Sequence, residues 1–356
     1  MLFGKSKNVI GLDIGTSSVK AVVLKPTKKG YKLLKLGIKP LPSEAIVDGA
    51  IMNASAVADT ILELVAELKI KEKEVATSVS GHSVIIKKIN LPFMDSEQLQ
   101  ESIKYEAEQY VPFDINDVNL DFQILSREPD EGGNMDVLLV AAKRDLINDY
   151  TAVVAEAGLN AAIIDIDAFT LENMYEVNYE INEGEIVALV NIGAAVTTIN
   201  VVQSGVSVFT RDVATGGNIL TEEIQKQLNV SYEEAETLKV GKRADEAGDE
   251  VIPQEVSNII NTVVDQVVGD VQKSIDFFLA TAADQAISKV YLAGGSCKIP
   301  GLARALQERI NIPVELANPF NSVQFDEKEY STEYLAEVGP QAAVAVGLAV
   351  RRVGDK

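Results

Sequence analysis

A single histidine, His82, and a single cysteine, Cys297, occur in the whole chain. One histidine excludes a histidine-based triad or a histidine-rich metal site within one molecule; beside Gly81, His82 reads as part of a hinge. One cysteine excludes an internal disulfide, which suits a reducing compartment, and Cys297 reads as a small packed residue. No stretch reaches the roughly 20 apolar residues that cross a bilayer. The start, Met1 to Asn8, lacks the apolar core of a secretory signal. The expectation is a cytoplasmic protein that meets a membrane only indirectly, through a partner or a surface patch. Also absent is Gly-x-x-x-x-Gly-Lys-Ser/Thr, so P-loop phosphate chemistry is unsupported.

Positive charge is scarce. Lysine and arginine total 32 against 53 acids, for a net charge of −21. Such a chain repels phosphate backbones, so no nucleic-acid partner is expected. The cations are unevenly placed, however. Residues 1–40 hold nine lysines and one acid, Asp13. Two readings stay open for this basic stretch: a surface facing anionic lipid or an acidic partner, or a solvated hairpin edge kept basic to block strand pairing.

A length of 356 residues exceeds one ordinary core, so two or more lobes are expected. Apolar runs predict strands at Val9–Ile14, Val19–Leu24 and Tyr31–Ile38, and helical periodicity covers Ala54–Leu68. Asp95 with Gln98, and Ser231 with Glu234, have the spacing of capping boxes. The second of these predicts a helix to about Gly241. A left-handed stop is expected at Gly158. The texture of residues 82–160 reads as a small α+β insertion. Strands are again predicted at Ile186–Ile192, Thr197–Val202 and Val290–Ala293, and a closing helix over Pro340–Val350, with Pro340 in its first turn.

One internal echo organises the rest. Gly11-Leu12-Asp13-Ile14-Gly15-Thr16-Ser17 resembles Val190-Asn191-Ile192-Gly193-Ala194-Ala195 half a chain later, each between two strand-like runs. A duplicated strand–turn–strand unit implies two similar lobes facing a shared cleft. At Gly15 the backbone can approach a phosphate and aim N–H groups at it. Thr16 and Ser17 add hydroxyls, and Lys20 adds a cation. Asp13 can hold Mg²⁺ through water. Gly193 offers the matching bend, and Gly294-Gly295-Ser296 allows flat approach to a base or ribose. Glu236 and Lys239 share a helix face, either to grip ribose hydroxyls or as a surface ion pair.

In order and spacing these elements resemble the actin, heat-shock chaperone and sugar-kinase ATPase superfamily. Asp13 to Lys20 looks like its first phosphate motif and Asn191-Ile192-Gly193-Ala194 like its second. Gly216-Gly217-Asn218, Glu236, Lys239 and Gly294-Gly295-Ser296 look like its adenosine side. Asp167, in Asp165-Ile166-Asp167, matches the position that orients the attacking water. The insertion narrows the resemblance to the FtsA and PilM branch. The opening Met1-Leu2-Phe3-Gly4-Lys5, the segment Tyr105–Phe113 and the end after Arg351-Arg352 are similar to PilM, and that end leaves no room for FtsA's membrane helix.

The resemblance implies an α/β, actin-like two-lobed fold with duplicated ribonuclease H-like domains. Residues 1–81 and 161–185 would form the first lobe, 82–160 the inserted subdomain and 186–356 the second lobe, with 231–286 its smaller part. It also implies ATP and Mg²⁺ as ligands, with Gly11, Asp13, Gly15, Thr16, Ser17 and Lys20 on one side. The partners implied are the cytoplasmic tail of a PilN-like membrane protein, the pilus motor ATPase and the platform, with homo-oligomers allowed. Asn191 departs from the family, which carries Asp there. An amide cannot act as a base, so tight binding with slow or absent hydrolysis is expected. The alternatives are an FtsA-like polymerising division protein and, behind it, a small-molecule kinase.

Overall fold

The computed structural model describes residues 8–125, 129, 132–239, 254–282 and 285–355. The expectations placed on Met1 to Lys5 and on Gly241 lie outside these residues. The chain opens with β1 (Ile10–Ile14), β2 (Ser18–Thr27) and β3 (Gly30–Pro40), then a short hairpin of β4 (Ile46–Val47) and β5 (Ala50–Ile51). Helix α1 (Ala54–Glu67) and β6 (Glu74–Val79) follow. Next come β7 (Val84–Pro92), α2 (Ser96–Ala107), β8 (Val118–Ile124) and β9 (Asn134–Lys143), then α3 (Arg144–Glu156), β10 (Asn160–Ile166) and α4 (Asp167–Asn178). The second half holds β11 (Ile186–Ile192), β12 (Thr197–Gln203), β13 (Val206–Val213), α5 (Asn218–Leu228), α6 (Tyr232–Lys239) and α7 (Gln254–Thr281). It ends with β14 (Lys289–Ala293), α8 (Leu302–Ile310), β15 (Val314–Leu316), β16 (Val323–Gln324) and α9 (Thr332–Ala349).

Two sheets repeat one plan. The first has the order β10-β6-β1-β2-β3-β16 and the second β13-β12-β11-β14-β15. In each, a strand–turn–strand hairpin leads (β1–β2, β11–β12), and its first strand pairs in parallel with a later strand (β6, β14). The expected duplication is therefore a duplication of sheets.

Between the sheets lie α4 and α9. Leu171, Met174 and Tyr175 of α4 and Ala342 to Ala349 of α9 share one core with Val22, Leu24 and Leu33 of the first sheet and Val187, Leu189 and Tyr291 of the second. The Ala342–Ala349 half of α9 is apolar on all sides, as suits a helix buried between two sheets. The outer face of the first sheet packs on α1 and α3, and the second sheet packs on α5 to α8.

The small sheet β7-β9-β8 with α2 forms a separate core around Leu99, Ile103, Met135 and Leu139. Both arms of the Asp95–Gln98 capping box are made, at 2.9 and 3.1 Å. Asp95→Ala is expected to cost about 1 kcal/mol, read as faster amide exchange confined to α2.

Three boundaries differ from the sequence reading. Helix α3, placed in the insertion, buries Tyr150, Val153 and Val154 in the first-lobe core beside α1; its apolar face fits that sheet, so the separate core ends near Lys143. The last segment, placed in the second lobe, returns to the first. There β16 pairs with β3 and α9 packs on β1 and β2. Finally, α9 starts at Thr332, where the Ser331 hydroxyl accepts from the Tyr334 N–H at 3.1 Å. Pro340 thus sits inside the helix, and its carbonyl accepts an N–H from outside the helix, that of Gly294, at 2.7 Å.

Candidate functional site

A cleft of about 800 Å³ opens between the two leading hairpin turns. Each turn closes by the same bond: Gly15 N–H donates to the Ser18 carbonyl at 3.1 Å, and Gly193 N–H to the Val196 carbonyl at 2.9 Å. Asp13, Gly15, Thr16, Ser17 and Lys20 line one wall, and Asn191, Gly193, Ala194, Gly294, Gly295 and Ser296 the other. Asp13 and Lys20 are cross-strand partners on β1 and β2. Their side chains pair at 3.1 Å, which leaves the ammonium facing the space between the turns.

The second wall is braced from behind. Gly217 N–H and the Ser296 hydroxyl both donate to the Gly193 carbonyl, at 3.0 and 2.8 Å, and Asn218 N–H donates to the Ala194 carbonyl at 2.8 Å. Gly294 has φ of +87°, and an added Cβ would stand 2.2 Å from the Ile192 carbonyl oxygen, so no other residue fits there. At the far end Lys239, only 7% exposed, bonds Glu236 at 2.5 Å and the Thr221 hydroxyl at 3.0 Å. This pair is built into the cleft wall, not solvated on an open surface.

Four expected ligand residues stand apart from the cleft wall. Gly216, Gly217 and Asn218 do not line it; the Gly217 and Asn218 N–H groups hold the second turn, and a Cβ at Gly216 would lie 2.5 Å from the Ala194 carbonyl oxygen. Gly11 does not line it either. Its missing side chain serves α9, because a Cβ there would lie 2.1 Å from the Ala345 carbonyl.

The structure also brings in residues the sequence reading passed over. Ser78 on β6 donates to Asp167 at 2.6 Å. Asp212 on β13 accepts the Gly81 N–H at 2.5 Å, a bond that crosses from one lobe to the other. Both strands went unassigned in the sequence reading, although Val75–Val79 and Val206–Thr210 are β-branched enough to have shown them. Asp13, Asp167 and Asp212 thus face one space. Burial first, then the negative charges of Asp13 and Asp212, push the Asp167 carboxyl up to about 7, against the pull of Ser78 and Ser80. Burial also raises Asp212 above the usual carboxylate range, with the Gly81 N–H opposing it. Cys297 is buried and its thiol is pushed up to about 12 by that burial, as suits a packed residue.

Chemically, the site offers two backbone cradles, Lys20 and the three carboxylates of Asp13, Asp167 and Asp212, with Arg211 and the Glu236–Lys239 pair also on its wall. Among the described residues no three acidic, histidine or cysteine side chains converge tightly enough to chelate a metal directly. A bare polyphosphate would meet repulsion from the carboxylates. A polyphosphate carrying a hydrated divalent cation would not, since the acids can hydrogen-bond the cation's water.

Comparisons with known proteins agree with this fold. The family model described as type IV pilus assembly protein PilM matches residues 11–353. A solved structure described as a PilM–PilN type IV pilus biogenesis complex is 27% identical, covering 98% of this chain and 99% of that one, with a TM-score of 0.84. The ethanolamine utilization protein EutJ of Carboxydothermus hydrogenoformans shares the fold at a TM-score of 0.57 and 16% identity, over 98% and 90% of the two chains. Among curated proteins, the cell division protein FtsA of Bacillus subtilis is 24% identical over 91% of this chain and 81% of its own. With nearly its whole length matched by that model, the chain belongs to the PilM family of type IV pilus assembly proteins.

Proposed function

We propose that this chain binds ATP with Mg²⁺ in the cleft and acts as a nucleotide-regulated scaffold in type IV pilus assembly. The observation that carries the reading is the pair of equivalent glycine turns facing each other with Lys20 between them. The turns and Lys20 would take the phosphates, Asp13 and Asp167 would order the waters of the Mg²⁺, and the Glu236–Lys239 end would take the nucleoside. Asp167 would then orient the attacking water, because Asn191 carries no charge. Losing one positioned base costs about 10²–10⁴-fold in rate, so turnover would be slow.

Regulation follows from the site's position between lobes. A ligand that touches both turns favours the closed arrangement, and it shifts populations only by that differential affinity. The Gly81–Asp212 bond then links closure to the inserted subdomain, since Gly81 precedes β7. A PilN-like cytoplasmic tail would dock near that subdomain, and the motor ATPase and platform would read the same state from the cytoplasmic side. Calorimetry on nucleotide-stripped protein tests the first step: heat on adding MgATP is expected, with phosphate release slow. A tail peptide of a PilN-like protein is expected to bind more tightly with ATP present. No binding at up to about 1 mM peptide, a free energy of only about −4 kcal/mol, would remove the docking reading. An FtsA-like polymerising role keeps support from the curated relatives, and ATP-dependent filaments on lipid under the electron microscope would favour it.

A further inference from the structure

The end of the first lobe opposite the cleft is basic, and we propose that it docks directly on the phosphate headgroups of an anionic lipid bilayer. The strand register fixes the geometry. Ile10 of β1 pairs with Val23 of β2 and with Val75 of β6, so these three residues share one level of the sheet. The turn at Gly15 lies at the other end of β1. Everything on β2 after Val23, and the loop before β6, therefore lies beyond that level, away from the cleft.

On β2, Val19, Ala21 and Val23 face the α1 core, while Val22 and Leu24 face α9. Alternation puts Lys25 on the α1 side. Lys32 lies directly opposite Lys25, and Lys35 opposite Val23, so these lysines share that face. Lys39, further up β3, reaches Glu63 and Glu67 of α1. The others lie past the end of α1, with Lys28 and Lys29 exposed at the tip of the hairpin.

The loop after α1 adds Lys69, Lys71 and Lys73, all exposed at the same end. Glu72 and Glu74 are the acids beside them. Their carboxylates accept from the Lys71 N–H and the Asn160 amide. Among the described residues, none of the lysines on the hairpin beyond Val23 or in this loop pairs with a carboxylate, whereas Lys39 and Lys20 do.

Two features select lipid over other anions. Edge protection explains single lysines on an outer strand, but not Lys25 placed opposite Lys32, since like charges directly across a strand pair destabilise it. An external anionic surface would offset that cost. The cations here are also all lysines; no arginine occurs before residue 127. Protein interfaces favour arginine and are depleted in lysine, whereas diffuse attraction to anionic headgroups needs only exposed charge near the surface. The acidic remainder of the molecule does not prevent this, because charges farther than about 10 Å are screened at 0.1 M salt.

The test is vesicle flotation of the full chain at about 0.1 M salt, where the acidic remainder is screened. The probes are phosphatidylcholine vesicles with and without a phosphatidylglycerol fraction, compared with an acidic peptide and an oligonucleotide. Wild type is expected to float only with phosphatidylglycerol and to be released by high salt. The triple variant Lys25→Gln, Lys28→Gln, Lys29→Gln should lose about a hundredfold in partitioning, at about fivefold per lysine, with unchanged circular dichroism and MgATP binding. Absence of flotation, equal flotation of the variant, or capture by the acidic peptide or oligonucleotide in place of vesicles would overturn the proposal.

Discussion

Lys20→Ala is expected to weaken MgATP binding by roughly 150-fold, about 3 kcal/mol, the upper range for a hydrogen bond to a charged group. The lysine sits between the two turns and holds Asp13 at 3.1 Å. Its loss removes the side-chain cation that stands between the two turns. It also leaves the negative charges of Asp13, Asp167 and Asp212 facing the incoming phosphates with less compensation. Lys20→Arg keeps the charge but changes its shape and reach, so it should restore only part of the affinity. Titration calorimetry of stripped protein measures both variants. Wild-type affinity in Lys20→Ala would show that the phosphates do not lie between these turns.

Asp167→Asn is expected to stabilise the nucleotide-free protein by on the order of 2 kcal/mol at pH 8 and to do nothing at pH 4. The carboxyl stands near 7 in the fold against 3.8 as the ordinary value. A raised carboxylate means the native state holds a proton that the unfolded chain has released. Stability contributed by this group is therefore full below about pH 4 and is lost as pH rises through about 7. The amide cannot ionise, so the variant escapes that loss. It also keeps an acceptor for the Ser78 hydroxyl, so the local geometry survives. Urea midpoints across pH 4–8 measure the difference, and a gap that does not widen with pH would show that Asp167 is not held among like charges. A group that costs stability while facing a cleft is what a functional site produces. MgATP should shrink the gap, since the cation shields the same carboxylate.

Both predictions rest on groups that were unevenly legible. Asp13, Gly15 and Lys20 lie within eight residues on one hairpin, so their mutual placement follows from strand pairing alone. The Asp95 and Ser231 caps were legible for the same reason: each bond spans three residues. Asp212 and Ser78 were not, because nothing near them in the chain marks a site. Asp212 reaches Gly81 across more than a hundred residues of intervening chain. Gly11 misled in the opposite sense. It stands inside a glycine motif, yet its lack of a side chain is used by α9, which arrives from the far end of the chain.

The amino-acid sequence by itself determined the strand–turn–strand units, their repetition, the helix caps and the chemistry available at each turn, since these depend on periodicity and on contacts a few residues apart. Only the tertiary structure decided that α3 and the last segment pack on the first lobe and which carboxylates meet in the cleft. It also decided which glycines touch the site and which serve packing. Those outcomes are set when α4 and α9 are buried between two sheets, and that burial joins surfaces whose sequences carry no sign of one another.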